Sequence, residues 1–342
     1  MKISNVLPLG TGDYKRNDKM RAIVQTDYGS TDRLSLQEVD KPVVGDNGVL
    51  VRVHATSVNA GDWHLMRGTP FLSRLIFGGI LKPKIKILGI DVAGKVAAVG
   101  KDVTQFQPGD DVFGDLSECG FGAFAEYVCA TEAALVLKPI NTTFEEAATI
   151  PCAALAALHA LRDCGQIQPG QKVLINGASG GVGSFAVQIA KALGAEVTAV
   201  GSTNKMDLIC SLGADYVIDY AQEDVTKNGQ RYDLILDAAA YRSIFDYLPI
   251  LTAHGSYVLV GGDMARFFQV MFFSPWISKT SPQKVKCLAV KPNQADLIVL
   301  KNLVEAGKIA PFIDQCYQLS EVPLAIRYLE QRHVRGKVAI KM

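Results

Sequence analysis

The sequence predicts an α/β chain in which a partly open β-barrel is followed by a doubly wound parallel sheet. Two changes of texture and one internal echo predict it. Residues 20 to 140 carry short β-rich runs, RAIVQT, VLVRVHA and VAGKVAAVG, broken by Gly, Pro and Asp turns such as QPGDD, the punctuation of barrel strands. From about residue 145, EEAATIPCAALAALHAL reads as a helix, rich in Ala and Leu with acids in its first turn. Near-continuous apolar runs then alternate with helical segments, and LGAEVTAV and LGADYVID echo each other as successive βα units do.

In order, the parallel strands are KVLIN (172–176), EVTAV (196–200), DYVID (215–219), YDLILD (232–237) and SYVLV (256–260). Between them SFAVQIAKAL stops at Gly194 and NKMDLICSL at Gly213, each glycine placed where a helix end needs a positive φ. After residue 285 come a strand, KCLAV, two helices, QADLIVLKNLVEAG and EVPLAIRYLEQ, and a closing strand, GKVAIKM, which is able to rejoin the barrel.

Composition narrows the functions. With 342 residues, 49% of them hydrophobic, the chain can bury a large core in about two domains. The 35 basic and 34 acidic residues leave a net charge of +1, with no dense basic block or basic-aromatic stripe, which argues against nucleic acid and for a small partner. Seven scattered cysteines without a CxxC pair fit reduced thiols and a cytoplasmic setting. The polar start lacks the apolar core of a signal peptide, and residues 1–19 read as a flexible tail. FFQVMFFSPW (267–276) is far short of the roughly 20 apolar residues a membrane span needs. It reads either as a lid over an apolar substrate or as an oligomer contact, with peripheral membrane contact a third option to which the small basic stretch GGILKPKIK (78–86) would contribute.

The chemistry centres on GASGGVG (177–183), which joins the strand KVLIN to the helix SFAVQIAKAL. A GxGxxG match alone is weak, and Ala178 stands at the first glycine. The strand before, the helix after and the repeated βα units make it a Rossmann phosphate loop, with Ser179, Gly180, Gly181, Val182 and Gly183 placing backbone N–H groups and a positive helix end against a pyrophosphate. The strand EVTAV is followed by Gly201, Ser202, Thr203, Asn204 and Lys205, with no acid for a ribose 2′-OH. Two hydroxyls and a lysine suit a 2′-phosphate, hence NADPH. In the plainer reading Ser202 and Thr203 cap the next helix and Lys205 is solvated.

SVNAGDW (57–63), LGIDVAGKVAAVG (88–100), FQPGDDVFG (106–114), FGAFAEYV (121–128), ASGGVGSFAVQIAKALGA (178–195), GADYVIDY (213–220) and RGKVAI (335–340) together resemble the medium-chain dehydrogenase/reductase superfamily, specifically its zinc-free quinone oxidoreductase branch. The likeness runs from about residue 20 to the end, the family's pattern beginning near Met20. It implies a GroES-like catalytic domain from residues 20–141 and 286–342, a Rossmann domain over 142–285, an active site in the cleft between them, and a homodimer or homotetramer. It further implies that Ser202, Lys205 and Tyr220 hold the 2′-phosphate end and that Gly261 and Gly262 lie near the nicotinamide. Asn59 and Asp62 form an N-x-x-D pair beside the reactive ring, and Arg335 lies near a C-terminal arginine position.

Zinc-dependent members need a cysteine near 59, a His-Glu pair near 90 and a Cys or Asp near 152, where this chain reads Asn59, Ile90-Asp91 and Cys152. One thiol does not make a three-ligand site, so no metal is expected and Cys152 reads as a buried small residue. Without a Lewis acid, conjugated acceptors are the natural substrates, because hydride arriving at a quinone or an α,β-unsaturated carbonyl leaves an anion that hydrogen bonds stabilise. Asn59, His64 and backbone N–H groups are the donors available. His64 reads equally as a packing residue beside Trp63, and Asp62 as a helix cap. Thr69, Pro70 and Phe71 stand where related enoyl-thioester reductases carry a tyrosine, which leaves protonation to solvent, and Ala156 stands where many relatives have a threonine. Two rivals remain: an NADPH-binding partner protein without turnover, and a zinc alcohol dehydrogenase.

Overall fold

The computed structural model describes residues 18–76 and 79–342. Residues 1–17 of the expected tail, and Gly78 of the basic stretch, fall outside them. The first strands are β1 (Lys19–Gln25), β2 (Leu34–Asp40), β3 (Gly48–Val58), β4 (Asp91–Val99), β5 (Asp111–Asp115), β6 (Tyr127–Thr131) and β7 (Leu135–Leu137). Then come β8 (Lys172–Asn176), β9 (Glu196–Gly201), β10 (Tyr216–Asp219), β11 (Tyr232–Asp237), β12 (Leu251–Leu259) and β13 (Lys284–Cys287), with β14 (Ile313–Gln318) and β15 (Lys337–Lys341) closing the chain. The helices are α1 (Ala60–Arg67), α2 (Phe71–Ile76), α3 (Phe144–Ala148), α4 (Pro151–Leu158), α5 (Gly181–Ala192), α6 (Met206–Ser211), α7 (Ile244–Tyr247), α8 (Met264–Thr280), α9 (Gln294–Glu305) and α10 (Val322–Glu330).

Among the described residues, β1 and β2 form a two-stranded sheet, and the barrel sheet runs β14-β15-β3-β4-β5-β7 with β6 also on β3. The valines of VLVRV alternate inward from β3, where Val49, Val51 and Val53 pack with Val92, Val112 and Leu135. β15 pairs antiparallel with β3, Val338 opposite Val58, so the last strand of the chain completes the first domain. The second sheet is parallel throughout, in the order β10-β9-β8-β11-β12-β13. Its central strands are apolar on both faces because helices cover both: Val173, Ile175, Val197 and Leu236 are buried together with Phe185 and Ile189 of α5. Each such side chain stabilises the fold by about 1.5–3 kcal/mol. The chain is thus an α/β protein with a GroES-like barrel and a Rossmann sheet.

Two local expectations need correction. EEAATIPCAALAALHAL is not one helix but α3, α4 and a π-helical turn over His159–Cys164. Pro151 has no N–H to continue a helix and takes the first position of a new one. His159 and Arg162 of the π turn are bound to the Asp296 carboxylate of α9, which accounts for a buried histidine without a catalytic role. The strand expected at KCLAV lies earlier, at Lys284–Cys287, as the edge strand β13 beside β12. FFQVMFFSPW lies inside α8, with Val270 and Ile277 facing the core and Met271, Phe272 and Trp276 exposed.

Candidate active site

In the Rossmann sheet the chain moves outward from β8 through β9 to β10, then returns to the other side of β8 at β11. A crevice opens at the strand ends where the direction reverses, and the glycine loop fills it. Gly177 has φ +78, and a Cβ at Gly183 would stand 2.1 Å from the Gly177 oxygen, so the start of α5 packs this close to β8 only with glycine there. α5 begins at Gly181, and its N-cap, Gly180, supplies no side-chain acceptor. The helix therefore presents uncapped N–H groups and a positive end to the crevice. Asn176 donates to Asp237 Oδ1 at 2.8 Å and Tyr257 to Asp237 Oδ2 at 2.7 Å, tying the ends of β8 and β11 to β12. Gly262, at φ +140, lies against Ala240 where a Cβ would meet backbone at 2.4 Å, and Gly261 N–H donates to the Asp237 carbonyl at 3.3 Å.

At the far end of β9, Ser202 Oγ donates to Asn204 Oδ1 at 2.7 Å and Thr203 Oγ1 to Asp219 Oδ2 at 2.5 Å. Neither side chain caps the following turn. Lys205 is not solvated: it is 8% exposed, and its Nζ donates to the Val334 carbonyl at 2.8 Å and the Arg332 carbonyl at 3.3 Å. Burial lowers its pKa. Arg335 sits close enough to contribute to that lowering; its Nη2 is 3.5 Å from Asp207, and its Nε is buried without a partner among the described residues. Tyr220 is exposed. An orphaned guanidinium N–H beside a buried lysine suits an anionic guest, so the residues present fit the 2′-phosphate end of a dinucleotide.

A buried polar cluster is built from four strand ends of the barrel and the starts of two helices, α1 and α4. Asp91 accepts from Ser57 Oγ (2.5 Å), Asn59 Nδ2 (2.8 Å) and the Cys152 N–H at the start of α4 (2.7 Å). Lys337 Nζ donates to Asn59 Oδ1 at 2.5 Å and lies 3.4 Å from Asp91 Oδ2. Asp91 Oδ2 and Ser57 Oγ, 2.5 Å apart, lie on the same side of Asn59 Nδ2, at 2.8 and 3.4 Å, and share one of its N–H groups. Asp62 closes a capping box at α1, accepting from Asn59 N–H at 2.9 Å, and also accepts from Gly89 N–H at 3.0 Å. It is the third helical residue and Asn59 is the cap, the reverse of the cap role considered for Asp62. Burial pushes the Asp62 pKa up to about 7. Asp115, paired with Asp91 across β4 and β5, is raised to about 6 by burial and by Asp91. His64 stands apart from this cluster: its Nδ1–H donates to the Thr69 carbonyl at 3.1 Å, and burial lowers its pKa. Nε2 is then an acceptor, not a proton source.

Residues 45–140 match the alcohol dehydrogenase GroES-like domain, and residues 212–340 match the zinc-binding dehydrogenase family. The chloroplastic quinone-oxidoreductase QR1 of Triphysaria versicolor is 33% identical over 94% of this chain and 98% of its own length. The chain belongs to the medium-chain dehydrogenase/reductase superfamily. The chloroplastic NADPH-dependent alkenal/one oxidoreductase of Arabidopsis thaliana is 31% identical over 96% of this chain and 81% of its own. The solved quinone oxidoreductase from Coxiella burnetii has a TM-score of 0.84 at 30% identity, covering 95% of this chain and all of that one. A member of this superfamily uses a nicotinamide cofactor, and these relatives are oxidoreductases.

One matched family is named for zinc, and three possible ligands, Asp91, Asp115 and Cys152, have donor atoms within 4.8 Å of one another. The set fits zinc poorly. Asp91 already accepts from three neutral donors and has an ammonium beside it, while burial and the neighbouring carboxylates drive the Cys152 thiol well above its usual pKa. A zinc thiolate needs the opposite. Sequence reasoning found Asn59, Asp62 and the glycine loop but overlooked Ser57, Asp91 as an anchor, Asp115 and Lys337. RGKVAI carried Lys337 in plain view, but only strand pairing reveals what it faces.

Proposed function

We propose that the chain is an NADPH-dependent reductase of quinones or α,β-unsaturated carbonyls that works without a metal. The observation that carries this reading is the Asn59–Asp91–Lys337 cluster, a buried cation and amide at the place where metal-dependent relatives would need metal ligands. Bound NADPH supplies the hydride. The glycine loop, its bend closed by the Gly180 N–H on the Gly177 carbonyl at 3.1 Å, takes the pyrophosphate on the N–H groups of Gly181, Val182 and Gly183, while Lys205, Arg335, Ser202, Thr203 and Tyr220 hold the 2′-phosphate end. Ser179 fixes the loop by accepting the Gly336 N–H at 2.8 Å. Asp62 holds the backbone of Asn59, and Asp91 and Lys337 hold its amide, so the wall of the cleft does not reorganise as negative charge develops on the acceptor. Solvent returns the proton, since His64 is tied to Thr69. A reducing, cytoplasm-like compartment and a homodimer or homotetramer complete the reading; among the described residues no helix is long and apolar enough to cross a membrane.

Loss of nicotinamide absorbance, followed with NADPH and NADH in parallel over a panel of quinones and enones, tests it. Faster oxidation of NADPH, unchanged after dialysis against a chelator, is expected. Turnover abolished by chelation, or no acceptor reduced at all, overturns it. The engagement of the Asn59 amide by Asp91, Ser57 and Lys337 favours a second reading, an NADPH-binding partner protein without turnover. Tight NADPH binding with no hydride transfer would select that one.

A further inference from the structure

β15 passes the glycine loop before it reaches β3. Gly336 N–H donates to the Ser179 carbonyl at 2.8 Å and Lys337 N–H to the Phe312 carbonyl at 2.8 Å, which fixes the lysine backbone beside the loop. The Lys337 stem then runs along the first residue of α5: a Cβ built on Gly181 would stand 3.1 Å from Lys337 Cδ. Beyond that point the ammonium reaches Asn59, because Val338 opposite Val58 continues the register to Lys337 opposite Asn59.

The side chain is 2% exposed, and an ammonium has three N–H donors. Among the described residues it has two acceptors, Asn59 Oδ1 at 2.5 Å and Asp91 Oδ2 at 3.4 Å. Asp91 does not need the lysine to satisfy its oxygens, since Ser57, Asn59 and the Cys152 N–H already donate to them. Desolvating a full positive charge is costly where neutral donors suffice. A third acceptor on a negatively charged guest, arriving at the loop that the stem lines, accounts for its presence.

We propose that Lys337 contacts the dinucleotide directly, its ammonium reaching an oxygen on the nicotinamide side of the pyrophosphate while it holds the Asn59 amide. The inference rests on the reading of GASGGVG as a pyrophosphate loop and deepens it. It couples cofactor occupancy to the orientation of Asn59.

Calorimetric titration of the full chain with NADPH and with 2′,5′-ADP separates this role from a structural one, because 2′,5′-ADP carries the phosphorylated adenosine end and lacks the nicotinamide half. The variants are Lys337→Met and the charge-balanced pair Lys337→Met with Asp91→Asn, the latter keeping the test readable if the single change fails to fold. NADPH affinity is expected to fall about ten- to hundred-fold in both, the loss of one hydrogen bond to a charged group, with 2′,5′-ADP affinity unchanged. Recovery of NADPH affinity in the paired variant would make Lys337 a mere counter-ion to Asp91 and overturn the proposal, as would equal losses for both ligands. A wild-type chain that binds NADPH but reduces no acceptor would sink the reductase reading and leave this assignment standing on its binding data. A wild-type chain that binds neither ligand sinks both.

Discussion

Alanine placed at two glycines of the same loop separates folding from cofactor binding. At Gly183 the new Cβ would lie 2.1 Å from the Gly177 oxygen and 2.8 Å from Ala178 Cα, both backbone atoms that no rotamer change removes. Ordinary contact is about 3.5 Å, so α5 must withdraw from β8 by more than an ångström. Overpacking of this kind costs about 1–3 kcal/mol, a fall of several degrees in melting temperature for a domain of this size. At Gly180, φ −82 and ψ 177 suit any residue, and the Cβ would meet only the Gly177 oxygen, at 3.5 Å. Gly180→Ala is therefore expected to melt like wild type, yet its methyl stands at the uncapped mouth of α5. Loss of one phosphate hydrogen bond there corresponds to about ten-fold weaker NADPH binding or more. Differential scanning fluorimetry and NADPH fluorescence titration on both variants read the two effects separately. A Gly180→Ala chain that binds NADPH as well as wild type would refute the claim that this bend holds a pyrophosphate.

Other expectations follow from the same geometry. With the Asp62 pKa raised to about 7, its neutral form favours the fold fully below about pH 4, and this contribution is lost as pH climbs through 7. Asp62→Asn should remove that slope, worth about 2–3 kcal/mol between pH 5 and pH 8 at about 1.4 kcal/mol per pKa unit, in urea titrations at those two pH values; an unaltered pH dependence would count against a buried, neutralised Asp62. Lys205→Met should weaken NADPH about ten- to hundred-fold and NADH little, as read by the ratio of the two KM values. Iodoacetamide followed by mass spectrometry should label exposed Cys210 and Cys316 in the native chain and spare Cys152, whose thiol is held protonated by burial and nearby carboxylates, until the chain is unfolded.

The parts legible in the sequence were those written locally. The phosphate loop is seven consecutive residues and the parallel strands are continuous apolar runs, so local pattern located them, while the N-x-x-D motif, a single turn of α1, was located by the resemblance to the family. The cluster around Asp91 is written across the whole chain: Ser57, Asn59, Asp91, Asp115, Cys152 and Lys337 meet because β15 pairs with β3, β3 with β4, and β4 with β5. No local period encodes those registers. The helix expected over EEAATIPCAALAALHAL failed at Pro151 because propensity summed over a window conceals one missing N–H. His64 was a candidate proton donor by residue type, and its tautomer, fixed by the Thr69 carbonyl, is visible only once the chain turns back at Gly68.

The choice of NADPH rests on the lack of an acid immediately after β9, and the fold supplies an acid from another direction. Asp219 ends β10 directly opposite Gly201 of β9. Its Oδ2 accepts from Thr203 Oγ1 and from Gln222 Nε2 at 3.1 Å, its Oδ1 accepts from Ala221 N–H at 2.9 Å, and the Thr203 hydrogen bond leads in lowering its pKa. Two opposite roles are physically open to such a carboxylate. If the guest carries a 2′-phosphate, Asp219 is a like charge partly masked by its own donors; if the guest has a free 2′-OH, Asp219 is an acceptor for it. On the reading proposed above, Lys205 and the Nε of Arg335, buried without a partner among the described residues, favour the phosphate. Asp219→Asn is therefore expected to tighten NADPH, by about two- to five-fold at low salt and less at high salt, and to leave NADH unchanged, opposite in sign to Lys205→Met. If Asp219→Asn instead weakens NADH and leaves NADPH untouched, the carboxylate is a ribose acceptor and the donor nucleotide is NADH.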